Sequence, residues 1–351
     1  MRRRSRRLAY IALATVAILG AFFTYRWLRG NSPAGPPGRQ GSTLLGVSTA
    51  IGQVPASAPV SQAASRPGGA VVSFDDGPVI PAAGAAALME QGAALVAREQ
   101  LVAGRAALAD ALNSGGLSPQ QAAAVRAQLE QLAQKMIFSR DLVEGDACVR
   151  WYQVKSGDVL QHIERNEKLH VPDRLLLKIN ALPDASKLQA GQKLKVIQGP
   201  FHAVVRKSQF VMDVYLQEPL GGRMIFVKRY NIGTGAGQTS TPEGVFRLTL
   251  GGKLVNAPYT PPPSTGLPQV KILPGQKDYP LDKNGLWIGL SGIPEKGNKL
   301  TAEDGYGIHG TNDASSIGKA TSRGCVRLSD TDIEQVYLTL YEQWSTVTIK
   351  P

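Results

Sequence analysis

The sequence predicts a multidomain chain that ends in a mainly β domain with a sandwich or barrel-like architecture. Three stretches rich in β-branched and aromatic residues follow one another after residue 200. A strand–helix–helix–strand pattern precedes them in residues 151–198, and an Ala- and Leu-rich helical stretch occupies residues 82–146. At 351 residues, the chain is long enough for two or three such domains.

The chain is strongly basic, with a formal net charge of +12. This charge suits nucleic acid, an anionic membrane surface or an acidic cell-wall polymer. The N-terminus favours the last two. It carries an arginine cluster in residues 1–7, and the run Leu8–Tyr25 has no charged residue and is long enough to span a bilayer as a helix.

We therefore expect a transmembrane signal anchor over residues 8–28 and a cytoplasmic tail over residues 1–7, because positive charge stays on the inner side of the membrane. A cleaved signal peptide is the alternative. Both place the remaining chain in the periplasm or cell wall, which excludes DNA and RNA as partners. Residues 29–81 are rich in Gly, Pro, Ser and Ala and predict a disordered linker.

Residues 82–146 predict a helical segment. Val125 and Leu129 recur at helical spacing, and Ser118 with Gln121 forms a capping-box pattern around a proline at the first helical position. The pattern indicates no function for the segment, and partner binding is one alternative.

Residues 151–198 begin with YQVKSGDVL, contain LLLKIN and end with LQAGQKLKV. Over its full length this stretch resembles a LysM domain. The resemblance implies a βααβ module that binds the N-acetylglucosamine-containing glycan of peptidoglycan or chitin. A small packing domain without a ligand is the alternative.

The domain of residues 201–351 contains three strand-like stretches, HAVVRKSQFVMDVYL, RMIFVKRYNIG and GVFRLTL. Gly221-Gly222 predicts the turn between the first two. A proline-rich loop surrounds residues 258–268, and loops of this length often cover or form binding sites. A helix over Asp330–Tyr341 and a strand over Thr346–Ile349 end the chain.

The segment HGTNDASSIGKATSRGCVR, residues 309–327, carries the candidate chemistry. A thiol is a useful nucleophile when a base makes its thiolate available, and imidazole suits that task near neutral pH. The segment therefore predicts Cys325 as nucleophile and His309 as its base. Gly324 lets the backbone approach a substrate closely, and the amides of Gly324 and Cys325 are candidate donors to an oxyanion.

The small numbers of cysteines and histidines argue against a disulfide and against a zinc site at Cys325. A structural disulfide between Cys148 and Cys325 is disfavoured, because the nucleophile must stay reduced, and Cys148 is then a free thiol. One histidine and one cysteine are too few ligands for zinc. We therefore expect no metal and no cofactor.

HGTN followed by SRGCVRL looks like the signature of the L,D-transpeptidase (YkuD-type) family, and GTGAGQTSTPEGVF resembles a strand–turn–strand segment of that family. Together these motifs cover residues 201–351. The resemblance implies that Cys325 is acylated, that His309 is its base and that Gly310 supplies a backbone oxygen to the imidazole. The side chains of Thr311 and Asn312 are alternative orienting groups.

Four residues of the motif are candidates for substrate binding: Arg327, Asn312, Ser322 and Arg323. For Arg327, a clamp on a substrate carboxylate and an internal ion pair are equally compatible with the sequence. Many members of the family have histidine in place of Arg323, so a scheme with two histidines does not fit this chain.

The resemblance implies a peptidoglycan L,D-transpeptidase that forms 3→3 cross-links, or attaches another amine, through a cysteine thioester. Two alternatives remain open. Water can resolve the same acyl-enzyme, which makes the protein an L,D-carboxypeptidase, or the chain is a non-catalytic anchor that binds the cell wall.

Overall fold

The computed structural model describes residues 81–261, 263, 266–342 and 344–351, all of which fall within one contact unit of the chain. The predicted cytoplasmic tail, the anchor over residues 8–28 and almost all of the predicted linker lie outside them. No helix in the described part of the chain is both long and apolar enough to cross a bilayer.

Three helices begin the described chain: α1 (Ala82–Ala97), α2 (Leu101–Asn113) and α3 (Pro119–Ala133), with a π-helical turn at Gln134–Phe138 after α3. The predicted capping box is present at α3. Ser118 Oγ accepts the Gln121 amide at 3.2 Å, and Gln121 Oε1 accepts the Ser118 amide at 3.0 Å. These two bonds satisfy donors that a helix N-terminus otherwise leaves unpaired.

Two strands and two helices follow in the order β1 (Val149–Gln153), α4 (Leu160–Asn166), α5 (Asp173–Ile179) and β2 (Lys193–Ile197). β1 and β2 pair antiparallel, with Val149 opposite Ile197. The apolar faces of the helices, with Ile163 and Leu176 buried, pack in the same core cluster as Leu194. We call residues 149–197 the βααβ unit.

The rest of the chain is built on an eight-stranded sheet in the order β11-β9-β8-β7-β12-β3-β4-β5. A short strand, β6, pairs with β10 beside it, and a bridge between Gly233 and Arg327 joins the chain after β5 to β11. The two ends of the sheet therefore come together and nearly close it. The strands and the final helix are β3 (Phe201–Arg206), β4 (Val211–Gln217), β5 (Met224–Asn231), β6 (Thr234–Gly235), β7 (Gly244–Leu254), β8 (Trp287–Gly292), β9 (Gly307–Gly310), β10 (Ala320–Ser322), β11 (Val326–Leu328), α6 (Asp330–Thr339) and β12 (Thr346–Lys350).

The strand-like stretch HAVVRKSQFVMDVYL contains two strands. The stretch forms β3 and β4, an antiparallel hairpin joined by the turn Lys207–Gln209. Phe210 reverses the chain there with φ 53°. The turn contains no glycine, proline or asparagine, and Ser208 is the one residue in it of a type that favours turns, so its sequence signal is weak.

Candidate active site

The candidate base and nucleophile lie on neighbouring parallel strands. His309 is in β9 and Cys325 immediately precedes β11, where Val326 pairs with Ile308 and Arg327 pairs with His309. Side chains alternate between the two faces of a strand, so Cys325, Arg327 and His309 share one face of the sheet. From the strand spacing and the rise per residue, the Cα atoms of Cys325 and His309 are about 8 Å apart, which two facing side chains can bridge.

The imidazole of His309 is buried and held in one orientation. Its Nδ1 lies 2.7 Å from the carbonyl oxygen of Gly310, so Nδ1–H donates and Nε2 is left as the acceptor. Burial, with a smaller effect of the Arg327 cation, lowers the pKa of His309 to about 4, although the hydrogen bond to the Gly310 carbonyl acts in the opposite direction. A side chain at Gly310 does not fit, because a Cβ there lies 2.7 Å from the carboxylate of Asp282.

The thiol of Cys325 is also almost fully buried, at 3% exposure. It donates to the carbonyl of Gly305 at 3.8 Å. Burial raises its pKa to about 11, although the backbone amide of Gly307 and the charge of Arg327 act in the opposite direction. The resting pair is therefore a neutral thiol beside a neutral imidazole. Both cysteines are free, so no disulfide joins Cys325 to Cys148.

A tight turn holds the nucleophile. Ser322 Oγ donates to the carbonyl of Cys325 at 2.6 Å and accepts the amide of Gly324 at 3.2 Å. Gly324 has φ +111°, and a Cβ there lies 2.6 Å from Cε1 of Tyr306, so only glycine fits. Ser322 is buried and closes this turn, and the Gly324 amide donates to it. A role of Ser322 in binding substrate and a role of the Gly324 amide at an oxyanion stay predictions.

The described residues of 255–261, 263 and 266–286, which we call the covering segment, include Tyr259 and Tyr279, which contact residues of the site. A cluster of buried side chains in this segment packs against Trp287 at the start of β8: Ala257, Tyr259, Tyr279 and Leu281. Asn312 Nδ2 donates to the carbonyl of Tyr279 at 2.7 Å. Asn312 thus fastens the covering segment close to His309, and its contact with a substrate stays a prediction.

The two arginines of the motif differ in their surroundings. Arg323 is exposed and donates a hydrogen bond to the hydroxyl of Tyr259. The Nε atom of Arg327 is buried and has no hydrogen-bond partner. Within the described residues, Arg327 forms no ion pair with a carboxylate. Its charge acts on Cys325, His309 and Tyr259, so it lies at the centre of the site.

Sequence reasoning missed Trp287 and Tyr259. Trp287 lies directly opposite His309 across β8 and β9, and the indole stacks on the imidazole with centroids 5.5 Å apart. Tyr259 approaches the site from the covering segment. The proline-rich loop pointed to that segment, but no spacing in the sequence shows which of its aromatic residues meets the motif.

Neither a cluster of metal-binding side chains nor the groove formed by the helices includes the Cys–His pair in the described residues. In the described ranges, no group of three or more His, Cys, Asp or Glu side chains is placed to hold a metal ion. A groove of about 450 Å³ lies elsewhere, between α3, α5, β5 and α6, and contains neither Cys325 nor His309. Because both side chains are buried, we expect the covering segment to move when a substrate enters.

Known proteins that are similar to this chain are described as L,D-transpeptidases. The profile of the YkuD family, described as the L,D-transpeptidase catalytic domain, matches residues 200–349. The Bacillus subtilis protein YqjB, assigned as an L,D-transpeptidase, is 34% identical over 144 residues, which are 41% of this chain and 68% of YqjB. The Bacillus licheniformis protein YkuD, with the same assignment, is 29% identical over 189 residues, which are 52% of this chain and 88% of YkuD.

A solved L,D-transpeptidase from Mycobacterium smegmatis is also similar. It is 14% identical with a TM-score of 0.33, and the match covers 46% of this chain and 64% of that chain. The protein thus spans somewhat less than two thirds of that structure.

Proposed function

Because the chain belongs to the L,D-transpeptidase family with a YkuD-type catalytic domain, we propose that it is a peptidoglycan L,D-transpeptidase that forms 3→3 cross-links through a thioester at Cys325. One observation supports this most directly. His309, oriented by the Gly310 carbonyl, shares one face of the sheet with Cys325 on the neighbouring strand.

The first step is acylation. Cys325 Sγ attacks the carbonyl of the third residue of a stem peptide, a diamino acid, while its proton passes to Nε2 of His309. The C–N bond to the terminal D-Ala then breaks, and His309 returns the proton to the leaving amine. A thioester remains on Cys325. Because thiol and imidazole are both neutral at rest, proton transfer accompanies the attack instead of preceding it.

The second step transfers the acyl group. An amine of a neighbouring stem attacks the thioester, His309 takes the proton of that amine, and the Cys325 thiol is restored as the new amide forms. The burial of the pair favours an amine over water as acceptor, because a covered site admits few water molecules. The same chemistry with water gives the carboxypeptidase alternative.

Two groups of this chain suit the charges of the reaction. The guanidinium of Arg327 forms no salt bridge among the described residues, although its charge reaches the Asp313 carboxylate, and its buried Nε has no hydrogen-bond partner. A carboxylate of the stem peptide is the partner we assign to it. The Cys325 amide is the proposed donor to the developing oxyanion, with the Gly324 amide joining it when it releases Ser322.

The parts of the chain before the catalytic domain hold that domain near its substrate. The βααβ unit, with its LysM-like motifs, binds the glycan strand and raises the local concentration of stem peptides. The N-terminal arginines and the apolar run after them anchor the protein in the cell membrane, with the catalytic domain in the periplasm or cell wall.

The test is intact-mass spectrometry of the full-length protein incubated with a disaccharide-tetrapeptide. We expect a mass increase equal to the ligand less one molecule of alanine. Cys325→Ala removes the adduct, and Cys148→Ala, which changes the other buried thiol, retains it. Loss of the adduct on adding a second stem gives a cross-linked dimer for a transferase and a free tripeptide for a hydrolase. No adduct on folded, reduced protein overturns the proposal and supports the wall-binding alternative.

A further inference from the structure

The indole of Trp287 covers the candidate base. Trp287 and His309 are directly paired across the antiparallel strands β8 and β9. Their rings are stacked with an interplanar angle of 14° and centroids 5.5 Å apart. Adjacent aromatic rings at this separation attract each other beyond simple burial.

The site is shaped to receive this indole. A Cβ on Gly307 lies 2.5 Å from Cζ2 of Trp287, and a Cβ on Gly289 lies 3.4 Å from its Nε1. The absence of a side chain at Gly307 therefore admits the six-membered ring, and Gly289 leaves the space beside the indole nitrogen open. The amide of Gly307 also donates a hydrogen bond to Cys325. The indole thus packs both on the imidazole and on the backbone that contacts the thiol.

Trp287 also joins the base to the covering segment. Its side chain packs against the cluster that contains Tyr259 and Tyr279. Tyr259 reaches Arg323 beside the nucleophile, and Tyr279 is fastened by Asn312, three residues after the base. A movement of the covering segment therefore reaches His309 through the indole.

We propose that Trp287 is a positioning residue that keeps the ring of His309 in the one orientation in which Nδ1–H meets the Gly310 carbonyl, so that Nε2 remains the acceptor for the thiol proton. The inference rests on the proposed function for its kinetic consequences. The torsion between Cβ and the ring of histidine is broad and roughly two-fold. Without the indole, the ring can rotate by a half turn, which puts Cδ2 in the place of Nδ1 and a carbon in the place of Nε2. The proton on Nδ1 then loses its carbonyl partner, and with it the preference for one tautomer.

The stack has a second consequence for the reaction. His309 becomes an imidazolium when it takes the thiol proton, in a site that otherwise disfavours that charge. The face of an indole attracts a cation. Trp287 therefore stabilises the charged form that exists during transfer, whereas an aliphatic side chain of similar volume does not.

The test compares Trp287→Phe and Trp287→Leu with the control Leu250→Ala, a change at an exposed apolar residue of β7. We expect Trp287→Leu to lower the acylation rate by about 100-fold with little change in KM, since a small misplacement of a reacting group costs this much. Trp287→Phe retains most of the rate, and Leu250→Ala leaves it unchanged. The pH dependence of the acylation rate in Trp287→Leu should also differ from that of the wild type.

Nitrogen-15 NMR of the full-length protein gives a readout that needs no substrate, and its first result, on the wild type, needs no variant. In the wild type we expect His309 to show a single tautomer with the proton on Nδ1 and ring protons shifted upfield by the indole. In Trp287→Leu the tautomers mix. Mixed tautomers in the wild type, or an unchanged tautomer and pH profile in a folded Trp287→Leu, overturn the inference. Absence of any acyl adduct on the wild type instead contradicts the proposed function and leaves the tautomer result standing.

Discussion

At the scale of single residues, burial decides how the candidate nucleophile behaves. Cys325 and His309 are both nearly inaccessible to solvent, and burial disfavours the charged form of each. Thiol and imidazole are therefore both neutral without substrate. This differs from cysteine enzymes in which an imidazolium and a thiolate form a stable pair, and the difference has a measurable consequence.

The rate at which iodoacetamide alkylates Cys325 should rise steadily with pH through pH 9. With a pKa of about 11, only on the order of one thiol in ten thousand is ionised at pH 7. The measurement uses Cys148→Ala, so that Cys325 is the single thiol. A plateau of the alkylation rate between pH 5 and pH 7 indicates a preformed thiolate and contradicts this expectation.

Residue-scale roles differ in how well the sequence reveals them. The pairing of a rare cysteine with a rare histidine in one segment indicated the nucleophile and the base. The motif also offered the Gly310 carbonyl, which lies 2.7 Å from Nδ1 of His309. The sequence could not show that Ser322 closes the turn, since a serine beside a nucleophile can face either the substrate or its own backbone.

At the scale of elements, a local signal predicted the start of helix α3 but not the hairpin inside the stretch HAVVRKSQFVMDVYL. Helix α3 begins where Ser118 and Gln121 form a capping box, a signal contained within four residues. The hairpin of β3 and β4 has no such signal. Its turn is imposed by pairing over the whole length of both strands, from Phe201 opposite Leu216 to Arg206 opposite Val211, and a single stretch of sequence does not show such pairing.

Lys195 joins two elements in a way that strand alternation does not predict. It lies in β2 and is fully buried, and its ammonium donates to the carbonyls of Met136, Ser139 and Asp141 at 2.8, 2.9 and 2.6 Å. Burial lowers its pKa to about 8, so it remains mostly protonated at pH 7. These carbonyls belong to the end of the π turn after α3 and the chain beyond it, which a helix leaves without donors.

Lys195→Met should destabilise the protein by about 3 kcal/mol, because it leaves buried carbonyls without a donor. Urea unfolding at pH 7 measures the loss. Lys193→Met is the matched control, since Lys193 lies in the same strand but is exposed, and we expect it to change the unfolding free energy by less than about 0.5 kcal/mol. Equal effects of the two changes argue against the capping role of Lys195.

At the scale of the whole molecule, the helical segment and the βααβ unit are fastened to the catalytic domain. Arg223 binds Asp110 of α2 with two hydrogen bonds of 2.6 and 3.0 Å, and His170 of the βααβ unit stacks on Trp344 at 3.4 Å between centroids. Under the proposed function, a glycan held by the βααβ unit therefore lies at a fixed position relative to Cys325. The gain in affinity for a substrate that binds both sites therefore depends on the fixed distance between the βααβ unit and Cys325, and not on the length of a flexible linker.

Two buried histidines make the stability of the whole molecule sensitive to mild acid. His202 in β3 lies 2.7 Å from Thr346 Oγ1 of β12 and 3.3 Å from Gln217 Oε1 of β4, and it accepts the Thr346 amide at Nδ1. A protonated Nδ1 cannot accept that bond. Burial lowers the pKa values of His202 and His309 to about 4.

The unfolding free energy should therefore fall as pH decreases from 6.5 toward 4. Between pH 6.5 and pH 4, both histidines bind a proton in the unfolded chain but not in the folded chain. Their contribution to stability is therefore complete above pH 6.5 and is lost as pH falls through the folded pKa values. Each histidine contributes roughly 3 kcal/mol to this decrease in the unfolding free energy.

His202→Gln should remove about half of the decrease, measured by urea unfolding at pH 7 and pH 4.5, even though the variant is less stable at pH 7. His162→Gln, at an exposed position, should leave the pH dependence as in the wild type. An unchanged fall in His202→Gln means that carboxylates, not buried histidines, set the acid sensitivity of the protein.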